Sequence, residues 1–389
     1  MNIAHPQQFL FQAERNPDYR MQLTTLGEFS VSCAKGYDEC GCDVNVLRIW
    51  NPDQNALKML DGFADETAIG QKRIQVGAND DGVRGHYLVC GDLSMNGLSL
   101  SGRWALPKGF AIRAHMPFYF SKLKNVRWQN QTQDITADDA RTKAYLTDDL
   151  FAHACTLGKG LYLGGWSRSG AGDLSIILEW LENFRQTKPF LKNVRVRAFG
   201  GCSMPSGKRA DEDKIFALPF GADGSFGFVF GAGIDLTFRA YLRAGIDVEL
   251  QHFLGKTKCR RIKTHEEQTE LLLLEKVNAF KEYGFLQRFT LYAQAYKFWG
   301  GLSATIAYQF FRHGEDSLTL RDLQYSEKIA NTAKSLEEWT MHNAFFSLSY
   351  DFNHEYRVHP YLELFAKVPF NGRFSAQVTT VGFILGIDF

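Results

Sequence analysis

Twelve ionisable side chains recur at alternate positions of otherwise apolar segments, and they are the residues best placed to act on a solute. They are Glu28, Arg103, Arg113, His115, Glu179, Arg195, Arg197, Asp235, Arg239, Arg243, Asp247 and Glu249. Side chains alternate between the faces of a strand, so each falls opposite its apolar neighbours. Gathered on one inner surface, such a set forms a polar pore lining that sets selectivity. The same residues also suit an ion-pair lattice filling a narrow interior, which for any one of them is the simpler account. Both signs are present, so no preference for anions or cations follows.

Motifs for bond-breaking chemistry are incomplete. Gly165-Trp166-Ser167-Arg168-Ser169 lacks the second glycine of a nucleophile elbow. Gly255-Lys256-Thr257 lacks the upstream glycine of a phosphate loop. His252 falls on an outward face near Ser225 or Ser303, but no spacing supports a triad, so it reads as an interfacial histidine. The seven cysteines are Cys33, Cys40, Cys42, Cys90, Cys155, Cys202 and Cys259. They form no CxxC pair, and Cys40-Gly41-Cys42 is too close for a zinc site. An odd count weakens a full disulfide framework and leaves room for one or two loop bridges. No metal, cofactor or enzymatic activity is expected.

The elements that position the charged set follow from composition and period. The chain has 389 residues, 45% of them hydrophobic, with 32 Phe and 35 Gly but only 10 Pro. Its mean hydropathy is nevertheless −0.25, so apolar residues are spread by alternation. Lys plus Arg number 44 against 43 for Asp plus Glu, a net charge of +1. That balance excludes a chain-wide nucleic-acid footprint and an acidic disordered chain. No run approaches the roughly 18–20 apolar residues of a spanning helix. The longest aliphatic run is Leu271-Leu272-Leu273-Leu274.

Phe226, Phe228, Phe230, Ala232, Ile234, Leu236 and Phe238 form one face of a strand; Gly231, Gly233, Asp235 and Thr237 lie on the other. Leu242, Ala244, Ile246, Val248 and Leu250 repeat the pattern after a turn near 239–241, which makes a tight hairpin. Further arms centre on residues 23–33, 98–104, 110–120, 174–184, 194–199, 289–295, 302–308, 344–352, 361–367 and 381–389. The total is about twelve. Connections are long at 36–85, 125–167, 206–225, 255–284 and 313–339, and short at the alternate positions, with Asn371-Gly372 a short turn on the long side. Helices are expected within these loops at 53–60, 136–154, 264–280 and 322–339, the stretch 271–280 acting as a plug or lid. Trp104, Trp128, Trp166, Trp180, Trp299, Tyr308 and Tyr350 fall near strand ends, as interfacial girdle aromatics do. Residues 1–20 show no basic segment followed by an apolar one. The chain is then either processed after export or never exported by that route.

The terminal segment Val381, Phe383, Leu385, Ile387 and Phe389 resembles the C-terminal signature of bacterial outer-membrane β-barrels, which the barrel assembly machinery reads. Thr380-Val381-Gly382 with Leu385 and Ile387 is also similar to the sorting signal of mitochondrial barrels; loop sorting and the terminal Phe favour the bacterial form. Gly172-Asp173-Leu174 through Trp180, with Met204-Pro205-Ser206-Gly207, resembles the outer-membrane transporter family associated with phenol and other aromatic catabolism. Asn51-Pro52 is similar to the hatch motif of long-chain fatty-acid transporters, although it follows a first strand and Asp53 replaces a small residue.

The expectation is therefore an all-β protein, a single antiparallel transmembrane barrel of about 12 strands over residues 20–389, preceded by a periplasmic or lumenal segment at 1–19. Short turns and both termini lie in the periplasm, long outer loops outside. The resemblance implies a bacterial outer-membrane channel for passive uptake of small solutes, hydrophobic or aromatic ones included. Its partners would be outer-membrane lipid, the barrel assembly machinery and the solute, with no nucleic acid. A barrel hydrolase acting on lipids and a structural or adhesive surface barrel are the alternatives.

Overall fold

The computed structural model describes residues 20–31, 35–77, 79–239, 241–352 and 358–389. The expected N-terminal segment, Cys33 and residues 240 and 353–357 lie outside them. Twelve long strands form the body: β1 (Met21–Ser30), β2 (His86–Ala105), β3 (Phe110–Asn130), β4 (Leu174–Arg185), β5 (Leu191–Met204), β6 (Gly227–Phe238), β7 (Leu242–Phe253), β8 (Leu286–Trp299), β9 (Leu302–His313), β10 (Trp339–Asp351), β11 (His359–Arg373) and β12 (Thr380–Asp388). Each pairs antiparallel with its sequence neighbours, and β12 pairs with β1, so the sheet closes. The segment Trp166–Ala171 continues β4 along the outer part of β3.

Alternation places the two faces. Leu23, Leu100, Ile112, Leu178, Phe230, Ile234, Ile246, Leu291, Ile306, Phe346, Leu348, Leu364 and Leu385 are exposed on the outer wall, a continuous apolar belt. The intervening residues of the same strands are buried inside. Strands such as β6, β7 and β9, each 12 residues long, match the span of a tilted membrane strand. At the short-turn end Gly300 and Gly301 adopt φ values of 53° and 97° between β8 and β9. Both central residues of such a hairpin turn need positive φ, which glycine supplies without a Cβ penalty. Both ends of the described chain also meet there, where the Arg20 and Met21 amides donate to the Phe389 carbonyl at 2.9 and 3.3 Å.

The long loops, together with the protruding ends of β2 and β3, form a cap with its own core. Val46, Leu47, Ile49, Leu57, Met59 and Leu60 from the first loop pack with Tyr87 and Val89 of β2. Leu146, Leu150, Ile215, Phe216, Leu271 and Leu272 from later loops complete the cluster. A smaller cluster joins Ile262, Val277, Leu318 and Leu336 through a three-stranded sheet of Lys256–Ile262, Glu275–Glu282 and Ser317–Leu320. Arg261 ties three loops together. It donates to the carbonyls of Leu273 (3.1 Å), Leu274 (3.0 Å) and Gly158 (2.8 Å), and pairs with Asp213 at 2.8 Å.

Several loop expectations are corrected here. Residues 53–60 are not a helix: Gln54 and Asn55 pair with Tyr87 and His86, leaving only a 3₁₀ turn at Lys58–Leu60. The Asn55 side chain accepts from the Leu57 and Lys58 amides, a local alternative to helical bonding. Residues 264–280 form a 3₁₀ turn, Glu270–Leu272, and then the strand Glu275–Glu282. The Leu271–Leu274 side chains are all buried in the cap rather than lying on one face of a plugging helix. Stretch 136–154 is helical in pieces, Ala137–Thr142 and Leu150–Leu157 around a π-turn, and 322–339 holds only the short Glu327–Ala330 helix and a 3₁₀ turn at Lys334–Leu336. A helix at Ala68–Val76, capped by the Thr67 hydroxyl, was not foreseen. Asn371-Gly372 lies within β11, and the outer connection follows it at 374–379. The described cysteines are free thiols.

Candidate functional site

The barrel interior brings most of the twelve charged residues together. Arg103, Arg113, His115, Glu179, Arg195, Arg197, Asp235, Arg243, Asp247 and Glu249 are all buried inside it. Arg103 and Arg113 converge on Glu179, at 3.0 and 2.6 Å. Arg197 pairs with Asp247, Arg288 meets Glu249 at 2.5 Å, and the Tyr292 hydroxyl donates to Asp235. Arg195 lies 4.0 Å from Asp235 and donates to Asn183 at 3.1 Å. The Arg243 guanidinium stacks over the Tyr296 ring at 3.3 Å. Pairing of this kind is what the cost of burying a lone charge demands. The glycines of the inner face make room for it. A Cβ on Gly245 would fall 2.5 Å from Asp235 Oδ1 and 2.6 Å from the Tyr292 hydroxyl.

Two of the twelve stand apart. Glu28 is half-buried near the cap and accepts from Lys367 and from the Thr380 hydroxyl, each at 2.6 Å. Arg239 is exposed in the β6–β7 turn at φ 51°, its guanidinium over the Phe190 ring, and so lies off the inner wall.

The lattice runs over β2–β8, and the opposite wall carries an aromatic cluster set among buried polar residues such as Glu363 and Lys367. There Phe345 stacks on Phe365 at 5.7 Å, packed with Tyr361, Ala307 and Ile384. Sequence reasoning missed this aromatic wall because Phe345 and Phe346 are adjacent and hide the alternation. Arg288 and Tyr292 were also missed, although the apolar residues Phe289 and Leu291 between them carry the period that marks both as inward.

Between the lattice and the cap lies a cavity of about 110 Å³, walled by Met95, Tyr119, Phe311, Trp339, Met341 and Asn343, with the Glu28–Lys367 pair at its side. A second cavity of about 220 Å³ lies within the cap, lined by Asp223, Arg260, Lys281, Asp316 and Trp50. Trp339 borders both. It is held by parallel stacking on His313, ring centres 5.8 Å apart. In the cap, Lys258 and Arg260 bind Asp223 at 3.0 and 2.8 Å. Burial raises that carboxyl, but the two cations outweigh it and hold its pKa low.

Other cap residues serve the architecture. Trp128 and Trp166 are not girdle aromatics; their indole N–H groups donate to the carbonyls of Leu163 and Ile215, at 3.1 and 2.7 Å. Trp104 and Trp299 are 61% and 77% exposed at the short-turn end, as a girdle requires. His86 at the outer tip of β2 lies between Asp53 and Asp80, which pin the first loop. Burial lowers its pKa, yet the two carboxylates outweigh that and raise it above the usual histidine value. His252 stacks on Phe285 at 4.7 Å, while Ser303 sits on the inner face at the opposite end and accepts from the Lys297 amide at 2.8 Å. That separation rules out a pair with Ser303, and among the described residues neither the Ser225 hydroxyl nor His252 Nδ1 makes a hydrogen bond.

A closed antiparallel barrel of twelve strands, with an apolar outer belt and every long loop at one end, is a transmembrane barrel of the outer-membrane type. In fold the chain is similar to an outer membrane channel from Pseudomonas putida F1, at 11% identity and a TM-score of 0.53, over 99% of this chain and 100% of that one. A Ralstonia pickettii toluene transporter aligns over 95% of this chain and 89% of its own, at 9% identity and a TM-score of 0.35. No protein-family model matches the sequence, and no curated protein does.

Proposed function

We propose that the chain is a bacterial outer-membrane channel for passive uptake of small hydrophobic or aromatic solutes. The observation that carries this reading is the pair of cavities walled on either side by Trp339, one in the cap and one in the barrel mouth. A solute leaving the cap cavity would meet the apolar chamber at the barrel mouth, which lies above the charge lattice and the aromatic cluster. The named residues of that lattice, together with Glu28, are the lining that would discriminate among solutes. The likeness in fold to an outer membrane channel agrees with the reading. The direct test is the initial rate at which Gram-negative cells take up radiolabelled aromatic alcohols with and without the expressed chain. A faster rate is expected; an unchanged rate in cells holding the folded barrel contradicts transport.

Assembly through the C-terminal strand belongs to the same proposal. Val381, Leu385, Ile387 and Phe389 are exposed along the lipid side of β12, and Phe383 is half-buried there against Phe29, ring centres 6.3 Å apart. A machinery reading that strand would meet those side chains first. Phe389→Ala is expected to deplete the fast-migrating, unboiled form of the protein in outer-membrane fractions while leaving refolding into detergent intact. Equal amounts of native and variant barrel in the membrane would remove Phe389 from that role.

A further inference from the structure

Asn343, in the wall of the barrel-mouth cavity, belongs to a polar row that continues along the inner wall beyond it. Thr290, Gln309 and Asn343 stand side by side on the inner wall, since Thr290 pairs with Gln309 across β8–β9 and Gln309 with Asn343 across β9–β10. Their exposures are 0%, 1% and 0%. Among the described residues, the Thr290 hydroxyl and both the nitrogen and the oxygen of the Gln309 and Asn343 amides make no hydrogen bond to the protein. Asn343 lines the cavity directly, and the residue opposite it on β11 is Pro369, which has no N–H to offer. Buried amides are ordinarily satisfied, and leaving them bare disfavours the site unless something else supplies the bonds.

We infer that this row is the polar end of a ligand site whose apolar end is the chamber of Met95, Tyr119, Phe311, Trp339 and Met341. The inference rests on the channel reading and names its solute class. An amide offers both a donor and an acceptor, so its complement is a group that does both, a hydroxyl or a carboxamide. The one full charge pair beside the chamber, Glu28 with Lys367, is self-neutralising, which leaves no counter-charge for an ionic head. A dry cavity of roughly 150 Å³ takes a benzene ring, so about 110 Å³ limits the part held in the chamber to one ring at most. The occupant is a compact, uncharged apolar molecule bearing one such group.

Calorimetric titration of the full-length barrel, refolded in detergent, tests this with benzyl alcohol, ethylbenzene and benzoate. Saturable binding of benzyl alcohol is expected, with ethylbenzene and benzoate at least about tenfold weaker, the factor for one lost hydrogen bond of about 1.4 kcal/mol. Asn343→Leu should reverse the order of alcohol and hydrocarbon. Gln309→Leu, in a second preparation, should weaken the alcohol in the same direction. Both variants should keep heat-modifiable migration, because removing an unmatched buried amide does not cost folding energy. Preference of the native barrel for ethylbenzene or benzoate would overturn the inference, as would equal alcohol binding by native and variant barrels. If ethylbenzene alone saturates while cellular uptake is still accelerated, the polar end is refuted and the channel stands. If no probe saturates and uptake is also unchanged, both fall.

Discussion

Replacing Asp247 with alanine is expected to lower the unfolding free energy of the barrel by about 3–5 kcal/mol, the range for breaking a buried ion pair from one side. Asp247 is fully buried, and its partner Arg197 is only 4% exposed. Removal of the carboxylate takes from that buried guanidinium the ion-pair partner it holds in the interior. The double change Arg197→Leu with Asp247→Leu removes both charges and is expected to be close to neutral, because two apolar side chains replace a pair whose attraction is largely offset by desolvation. Urea unfolding in lipid vesicles, followed by tryptophan fluorescence and by gel mobility without boiling, reads both. A single-variant loss under about 1 kcal/mol would mean that water solvates the pair as it does a surface ion pair. The lattice would then line an open lumen rather than fill a narrow one.

The barrel was legible because its signal is physical and repeated. A strand with lipid on one side and a crowded interior on the other must alternate, and Phe226 to Phe238 does so without a break. The same logic placed Asp235, Asp247 and Glu249 inward, where the structure holds them. Arg239 fell outside the rule because the strand had already ended at Phe238. The cap was poorly legible for the opposite reason. Its loops are packed by contacts between segments far apart in sequence, so Leu271 and Leu272, buried against residues of the first loop, showed no period of their own. Trp128 and Trp166 misled through position alone: β3 runs 21 residues, past the membrane span, and carries Trp128, with Trp166 on the segment paired beside it, into the cap core. The Ala68–Val76 helix buries few residues, yet Thr67 before it and Gly77 after it are the capping signals that mark it. Asn343 could not have been singled out, since its neighbours matter only once β9 and β10 are side by side.

The central claim is that the chain is a membrane channel whose mouth the cap covers. Residues 43–82 supply ten members of the cap core, from Val46 to Val76, against which Met95 and Val378 of the chamber pack, and excising them is expected to unseal that chamber while leaving all twelve strands. Single-channel recording in planar bilayers compares the native chain with this excision, both verified as folded by heat-modifiable migration. The native chain is expected to give brief, low-conductance openings, and the excised chain a sustained, higher level. Silence from both, in bilayers shown to contain the folded barrels, would contradict the channel.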